Sequence, residues 1–147
     1  TIHTPGAVKT VYRLLDMGIR PYIIRAAIRA IVGQRLLRRL CPICRLPYQV
    51  HQDSREGHFL GEAYRPEDIY YHHNPQGCPQ CGHTGFIGRI AIHEILCFSE
   101  ELSEEPKDKE VGASLISSDC LLSTMREDGI AKALAGEIQL EELMNIF

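Results

Sequence analysis

Four cysteines arranged as two pairs constrain this chain more than any other feature. Cys41 and Cys44 stand two residues apart in CPIC, Cys78 and Cys81 in CPQC, and 33 residues separate the pairs. Two thiolates at i and i+3 on a tight turn point into one concavity. Two such turns can close a tetrahedron around a metal ion at about 2.3 Å per bond. Pro42 and Pro79 follow the first cysteine of each pair and pre-set φ for a turn. Gly82 follows the second pair and tolerates positive φ, whereas Arg45 holds the matching place after the first, a less favourable knuckle. One C-x-x-C alone would suit a thioredoxin-like dithiol. Two pairs favour a four-thiolate zinc site, with two disulfides or free thiols as the other readings.

Other candidate ligands lie nearby. His72, His73 and His83 flank the second pair, and any of them can replace a thiolate; His83 reads better as a supporting or solvated side chain. Cys97 and Cys120 sit among apolar neighbours and read as buried thiols acting as small hydrophobes. A metal joining the ends of the long segment between the pairs would offset its closure entropy, because zinc binding is then part of folding.

Charge is divided along the chain. Residues 1–48 carry nine Lys/Arg against one acid, and the remainder seven against eighteen, balances of +8 and −11. A basic first third implies either a face for phosphate, acidic protein or headgroups, or arginines that solvate helix surfaces. No run of about 20 apolar residues is present, so no transmembrane helix is expected. Paired C-x-x-C motifs without a signal-peptide core favour a reducing, cytoplasmic compartment. The chain opens without Met and in mid-pattern (TIHTPGAV), as a fragment would.

Apolar spacing predicts a helix over 6–17 with Gly18 as its C-cap, and a second helix opened by Pro21 with Ile23, Ile24, Ala27, Ile28 and Ile31 on its apolar face. Gly33 is expected to interrupt that helix. Residues 34–40 fit either more helix or a short strand. Residues 45–76 read as an irregular excursion with one short helix near Arg65, Pro66, Glu67 and Asp68. Alternation over 85–98 predicts a strand. An acidic, exposed stretch follows (SEELSEEPKDKE), then a helix over 123–135 capped by Gly136 and a last short helix over 139–146.

The order of these elements, with TIHT, DMGIRPY, GQRLLRRLCPICRLPY, GCPQCGHTGFIGRIAIHE and MREDGIAKALAGEIQLEEL, resembles the C-terminal part of the type II secretion and type IV pilus-assembly (extension) ATPases. The resemblance implies a mixed α/β fold: the C-terminal part of a RecA-like P-loop ATPase domain, with a tetracysteine zinc-binding module and a C-terminal helical bundle. It divides the chain into an ATPase-core remnant (1–40), a zinc module (41–84), a returning strand (85–98) and a helical subdomain (99–147). It also implies a structural Zn2+ on Cys41, Cys44, Cys78 and Cys81, and His3 at the family's histidine-box position. Arg35, Arg38 and Arg39 fall where contacts with a neighbouring subunit or partner are expected. ATP and Mg2+ would belong to the full-length protein, which acts as a hexamer. Its partners would be an inner-membrane platform and a cytoplasmic adaptor, placing it in the cytoplasm at the inner membrane.

The chain departs from that pattern where chemistry is concerned. The phosphate-binding G-x-x-x-x-G-K-[ST] and the acidic Mg2+-binding motifs are absent from it, which leaves no route to hydrolysis by this chain alone. Pro5 and Gly6 replace the usual polar pair after the histidine box. A free-standing zinc module for nucleic acid or protein is the alternative reading, with nucleic-acid binding not expected. A redox dithiol enzyme fits the tetracysteine spacing poorly.

Overall fold

The computed structural model describes residues 4–98 and 121–147. Its elements run α1 (Ala7–Asp16), α2 (Pro21–Ala27), β1 (Ala30–Leu40), β2 (Leu46–Gln49), α3 (Arg55–Leu60), a 3-10 turn (Gly61–Ala63), β3 (Ile69–His72), a second 3-10 turn (Pro79–Cys81), β4 (Phe86–Cys97), β5 (Leu121–Ser123), α4 (Met125–Leu134) and α5 (Leu140–Met144). The mixed α/β class is as expected. β1, β4 and β5 form one sheet in that order, and β2 pairs with β3 in another. The chain divides into two compact units, residues 1–34 with 93–125, and 35–92 with 126–147.

In the first unit α1 buries Ala7, Val11 and Leu14, which join Ile24, Leu96 and Phe98 in one apolar cluster. Gly18 takes φ 81. Its N–H and that of Ile19 donate to the carbonyls of Leu15 and Leu14, which completes a Schellman stop. No side chain of the helix's own N-terminal turn caps it. Glu94 on β4 does so instead, accepting from the N–H groups of Ala7 (2.5 Å) and Val8 (3.2 Å). A carboxylate there complements the helix dipole. A Cβ on Gly6 would approach Glu94 Oε1 to 3.0 Å, so glycine makes room for this cap.

Two expectations change here. α2 ends at Ala27, so Ile28 and Ile31 reach the cluster from beyond the helix, and Ile23 is exposed. The chain is then strand from Ala30 onward, through Gly33. A Cβ at Gly33 would lie 3.1 Å from the Ala7 backbone nitrogen. The glycine marks a close backbone approach within a strand, not a break in a helix.

In the second unit the stretch expected to be irregular is ordered. β2 pairs antiparallel with β3, Leu46 opposite His72 and Gln49 opposite Ile69. Pro47 is tolerated because each strand of a two-stranded sheet has a free edge. The short helix is α3, whose Ser54 Oγ accepts from Gly57 N–H at 3.0 Å; Arg65 to Asp68 form a turn. α4 and α5 match the expected helices, except that Leu121–Ser123 is a strand and the first helix starts at Met125 rather than at 123. Gly136 (φ 70) and Glu137 donate to Ala133 and Lys132 carbonyls, a second Schellman stop. Gly129 inside α4 has a packing reason, since a Cβ there would meet Leu143 Cδ1 at 2.3 Å.

Candidate metal centre

Each cysteine pair sits at the end of a regular element. β1 delivers Cys41, whose N–H donates to Gly85 O at 2.9 Å, and Arg45 N–H closes the first turn on Cys41 O at 3.1 Å. Cys78 opens the second 3-10 turn, and Cys81 and His83 N–H groups both donate back to Cys78 O. Gly82 (φ 60) and His83 (φ 61) then take left-handed backbone, and Gly85 (φ 76) turns the chain into β4.

The four sulfurs converge. Cys41 Sγ lies 3.7 Å from Cys78 Sγ, Cys44 Sγ 3.9 Å from Cys81 Sγ, and Cys78 Sγ 3.7 Å from Cys81 Sγ. All four lie within 4.8 Å of one another. A regular tetrahedron with metal–sulfur bonds of about 2.3 Å has edges of about 3.8 Å. A disulfide needs about 2.05 Å. The spacing therefore matches a four-coordinate ion, and the cysteines are free thiols.

The electrostatics point the same way. Burial opposes ionisation of Cys81, but donors from the Cys78 and Gly85 backbone, the Cys78 thiol and Thr84 N–H outweigh it. Its pKa falls from 9.0 to about 6. Cys78 and Gly85 N–H each approach Cys81 Sγ to 3.2 Å. Cys41 is lowered despite burial, through N–H groups of Ile43 and Cys44. Cys44 goes the other way, to about 12, through burial, hydrogen bonds that its S–H donates toward the other three sulfurs, and the charge on Cys41. Four thiolates at this spacing cannot all ionise on their own; a cation among them removes the penalty.

The histidines stay out of the group. His73 donates through its N–H (3.3 Å) and Nδ1–H (3.0 Å) to Gln139 Oε1, and its ring stacks on Phe86. His72 meets Tyr48 edge-on, and the exposed His83 has its Nδ1 3.3 Å from Gln76 O. Cys97 is half-buried in β4 and apart from the cluster. His3, Cys120 and the acidic stretch lie outside the described residues. Arg35 is exposed on β1. Arg38 pairs with Glu142 (Nε to Oε1, 2.5 Å) and stacks over Phe86 at 4.1 Å, while Arg39 lies 3.6 Å from Glu137. Both keep about half of their side-chain surface exposed.

Arg45, read from the sequence only as a poor substitute for glycine, has a role of its own. Its Nη1 donates to the carbonyls of Ala135 (3.1 Å) and Gly136, and its guanidinium lies over Tyr71 at 4.3 Å. Its place directly after the second cysteine, where the other pair has Gly82, was the available signal.

Comparison with known proteins gives the class to which this chain belongs. The chain belongs to the type II/IV secretion system protein family, which matches residues 1–145. It is 36% identical to the type II secretion system ATPase E of Vibrio cholerae, over 99% of this chain and 28% of that protein. Identity is 35% to the type II secretion system protein E of Aeromonas hydrophila, over 99% and 28%. It is 34% to a type IV pilus assembly ATPase of Thermus thermophilus, over 98% and 16%. The chain thus spans under a third of the length of these relatives. No helix among the described residues is long and apolar enough to cross a membrane.

Proposed function

We propose that this chain is the C-terminal part of an ATPase that drives type II secretion or type IV pilus assembly, and that its four cysteines hold a structural Zn2+. The observation that carries the metal reading is the tetrahedral spacing of the four sulfurs. Four thiolates suit zinc, or iron as the other common S4 ion, and leave no open position for a reacting water. When bound, the ion supplies cross-linking of the two pairs and neutralisation of their charge. In this reading residues 1–40 end a RecA-like core, 41–84 form the zinc module, 85–98 return the chain and 99–147 complete a helical bundle.

The relatives' names support an ATPase of which this is one portion. ATP and Mg2+ would bind in the whole protein, with His3 near the nucleotide. Arg35, with the exposed parts of Arg38 and Arg39, would face a neighbouring subunit of a hexamer. The assembly would work in the cytoplasm against an inner-membrane platform and a cytoplasmic adaptor.

Metal analysis tests the site. One zinc per chain is expected, and cobalt substitution should give the intense absorption of tetrahedral thiolate ligation. Metal content unchanged by Cys78→Ser together with Cys81→Ser would refute the ligand set. The reading frame upstream of Thr1 tests the rest: it should encode G-x-x-x-x-G-K-[ST], and a frame without that motif would end the ATPase reading.

A further inference from the structure

We propose that residues beside the cysteine pairs couple metal occupancy to the turn between α4 and α5, with Arg45 as the principal positioning residue. The inference rests on the metal reading above and goes beyond it, because a structural ion need only hold its own ligands. Here three contacts from residues flanking the cysteines meet on residues 135–139. Leu40, just before Cys41, donates its N–H to Glu137 O at 2.8 Å. Arg45, just after Cys44, donates to Ala135 O and Gly136 O. His73, five residues before Cys78, donates twice to Oε1 of Gln139, a residue only 5% exposed.

The chemistry of the Arg45 contact is that of a helix C-terminus. Ala135 and Gly136 directly follow the last residue of α4, and a cation on their carbonyls sits at the negative end of the helix dipole. Gly136 is required twice over. Its φ is 70, and a Cβ would lie 2.3 Å from Arg45 Nη1 and 2.7 Å from Tyr71 Cδ2. The guanidinium lies over the ring of Tyr71 on β3, which restrains its plane. A metal that fixes Cys44 fixes the backbone one residue before this side chain. With the ion removed, the β2–β3 ladder still holds Leu46 opposite His72 and Cys41 N–H still meets Gly85 O, but Cys44 is no longer fixed, and Arg45 beside it is held less firmly on residues 135 and 136. Coupling is reciprocal: if the ion strengthens the cap, the cap strengthens ion binding by the same factor.

The test uses the full chain. Metal stoichiometry is measured first, then zinc affinity by competition with a chromophoric chelator, then amide hydrogen exchange over residues 132–144 with and without zinc. In the wild type, removing zinc should speed exchange there. Arg45→Met keeps the stem and removes the fork; it should weaken zinc binding roughly tenfold, as expected for losing a charge-assisted hydrogen bond. It should also shrink the exchange difference between the zinc-bound and zinc-free protein. Arg45→Lys should fall between, and Tyr71→Leu should shift affinity the same way by less. A merely structural Arg45 would destabilise both forms alike, so zinc affinity within twofold of wild type in Arg45→Met would overturn the coupling. Should that variant not fold, the same criterion applied to Arg45→Lys decides. Wild-type protein that binds no metal at all would instead refute the metal reading, an outcome the stoichiometry separates from loss of coupling.

Discussion

Around Cys78 and Cys81 the chain is shaped by its backbone. Gly77, Gly82, His83 and Gly85 all take positive φ, and two N–H groups reach Cys81 Sγ. Around Cys41 and Cys44 no residue has positive φ, and a long side chain, Arg45, ties the turn to α4. One knuckle is preorganised by local geometry, and the other is held from a distance in sequence. The difference also shows in the sulfurs: Cys81 is the readily ionised thiol at about 6, while Cys44 holds its proton to about 12. A metal ion arriving at the site therefore meets a prepared thiolate at Cys81 and displaces a proton from Cys44.

The largest expected effect follows from that asymmetry. Cys81→Ser removes the sulfur with the most donors. It should abolish metal binding and with it a binding free energy on the order of 10 kcal/mol, as structural zinc sites supply. Cys44→Ser leaves Cys81 and two more thiols and should retain weakened binding. Metal content and thermal melting of the two variants check this. Loss at Cys44 with retention at Cys81 would reverse the comparison.

Acid should reach the same end reversibly. The lowered pKa of Cys81 means that its thiolate stabilises the fold fully above its ordinary value of 9.0, and that this contribution is lost as pH falls through about 6. Protons also compete with the metal at Cys44 throughout the neutral range, because its pKa is raised. Metal release should thus set in on acidification, as protons displace the ion from the thiolates. A zinc indicator followed against pH reads this directly; metal content unchanged on strong acidification would overturn the thiolate ligand set.

Glycine substitutions should separate crowding from backbone strain. A Cβ at Gly77 would lie 2.3 Å from the His83 carbonyl carbon, and one at Gly85 2.6 Å from Asn74 O, with both residues at positive φ. Alanine at either should cost about 3 kcal/mol or more. At Gly82 no atom lies within 4 Å of such a Cβ. Only the left-handed conformation is penalised there, at about 1–2 kcal/mol. Equal losses at Gly82 and Gly85 in chemical denaturation would show that crowding does not shape the second knuckle.

The parts of this molecule that could be read from sequence are those whose cause is local. The two cysteine pairs, Gly18 and Gly136 as helix stops, Pro21 at a helix start and the alternation of β4 all act within a few residues. Interactions between distant residues were hidden. Residues 34–40 carried no period that separates helix from strand, and Gly33 makes sense only once the start of α1 lies against it. Pairing of β2 with β3 joins segments 20 residues apart, with Pro47 arguing against a strand. Glu94 as the cap of α1 spans 87 residues, and Arg45 reaches 90 residues ahead to Ala135. The ligand set needed no such knowledge, because its spacing is itself the chemical signal. What surrounds the ligands needed the fold.

The smallest effect tests the finest detail of the second knuckle. Thr84 Oγ1 donates to Cys81 O at 2.7 Å and accepts from Phe86 N–H at 3.3 Å, so one hydroxyl links the end of the cysteine turn to the start of β4. No side chain plays this part after Cys44, where Arg45 points away to α4. Thr84→Val keeps the shape and removes both hydrogen bonds. Thr84 is exposed, so water replaces the lost partners in part, and the expected cost is about 0.5–1 kcal/mol. Zinc affinity should fall by no more than a few-fold, because the N–H donors to Cys81 Sγ come from Cys78 and Gly85 and stay in place. A loss as large as that of Arg45→Met would mean that the second knuckle also depends on a side chain, and the contrast between the two halves of the site would disappear.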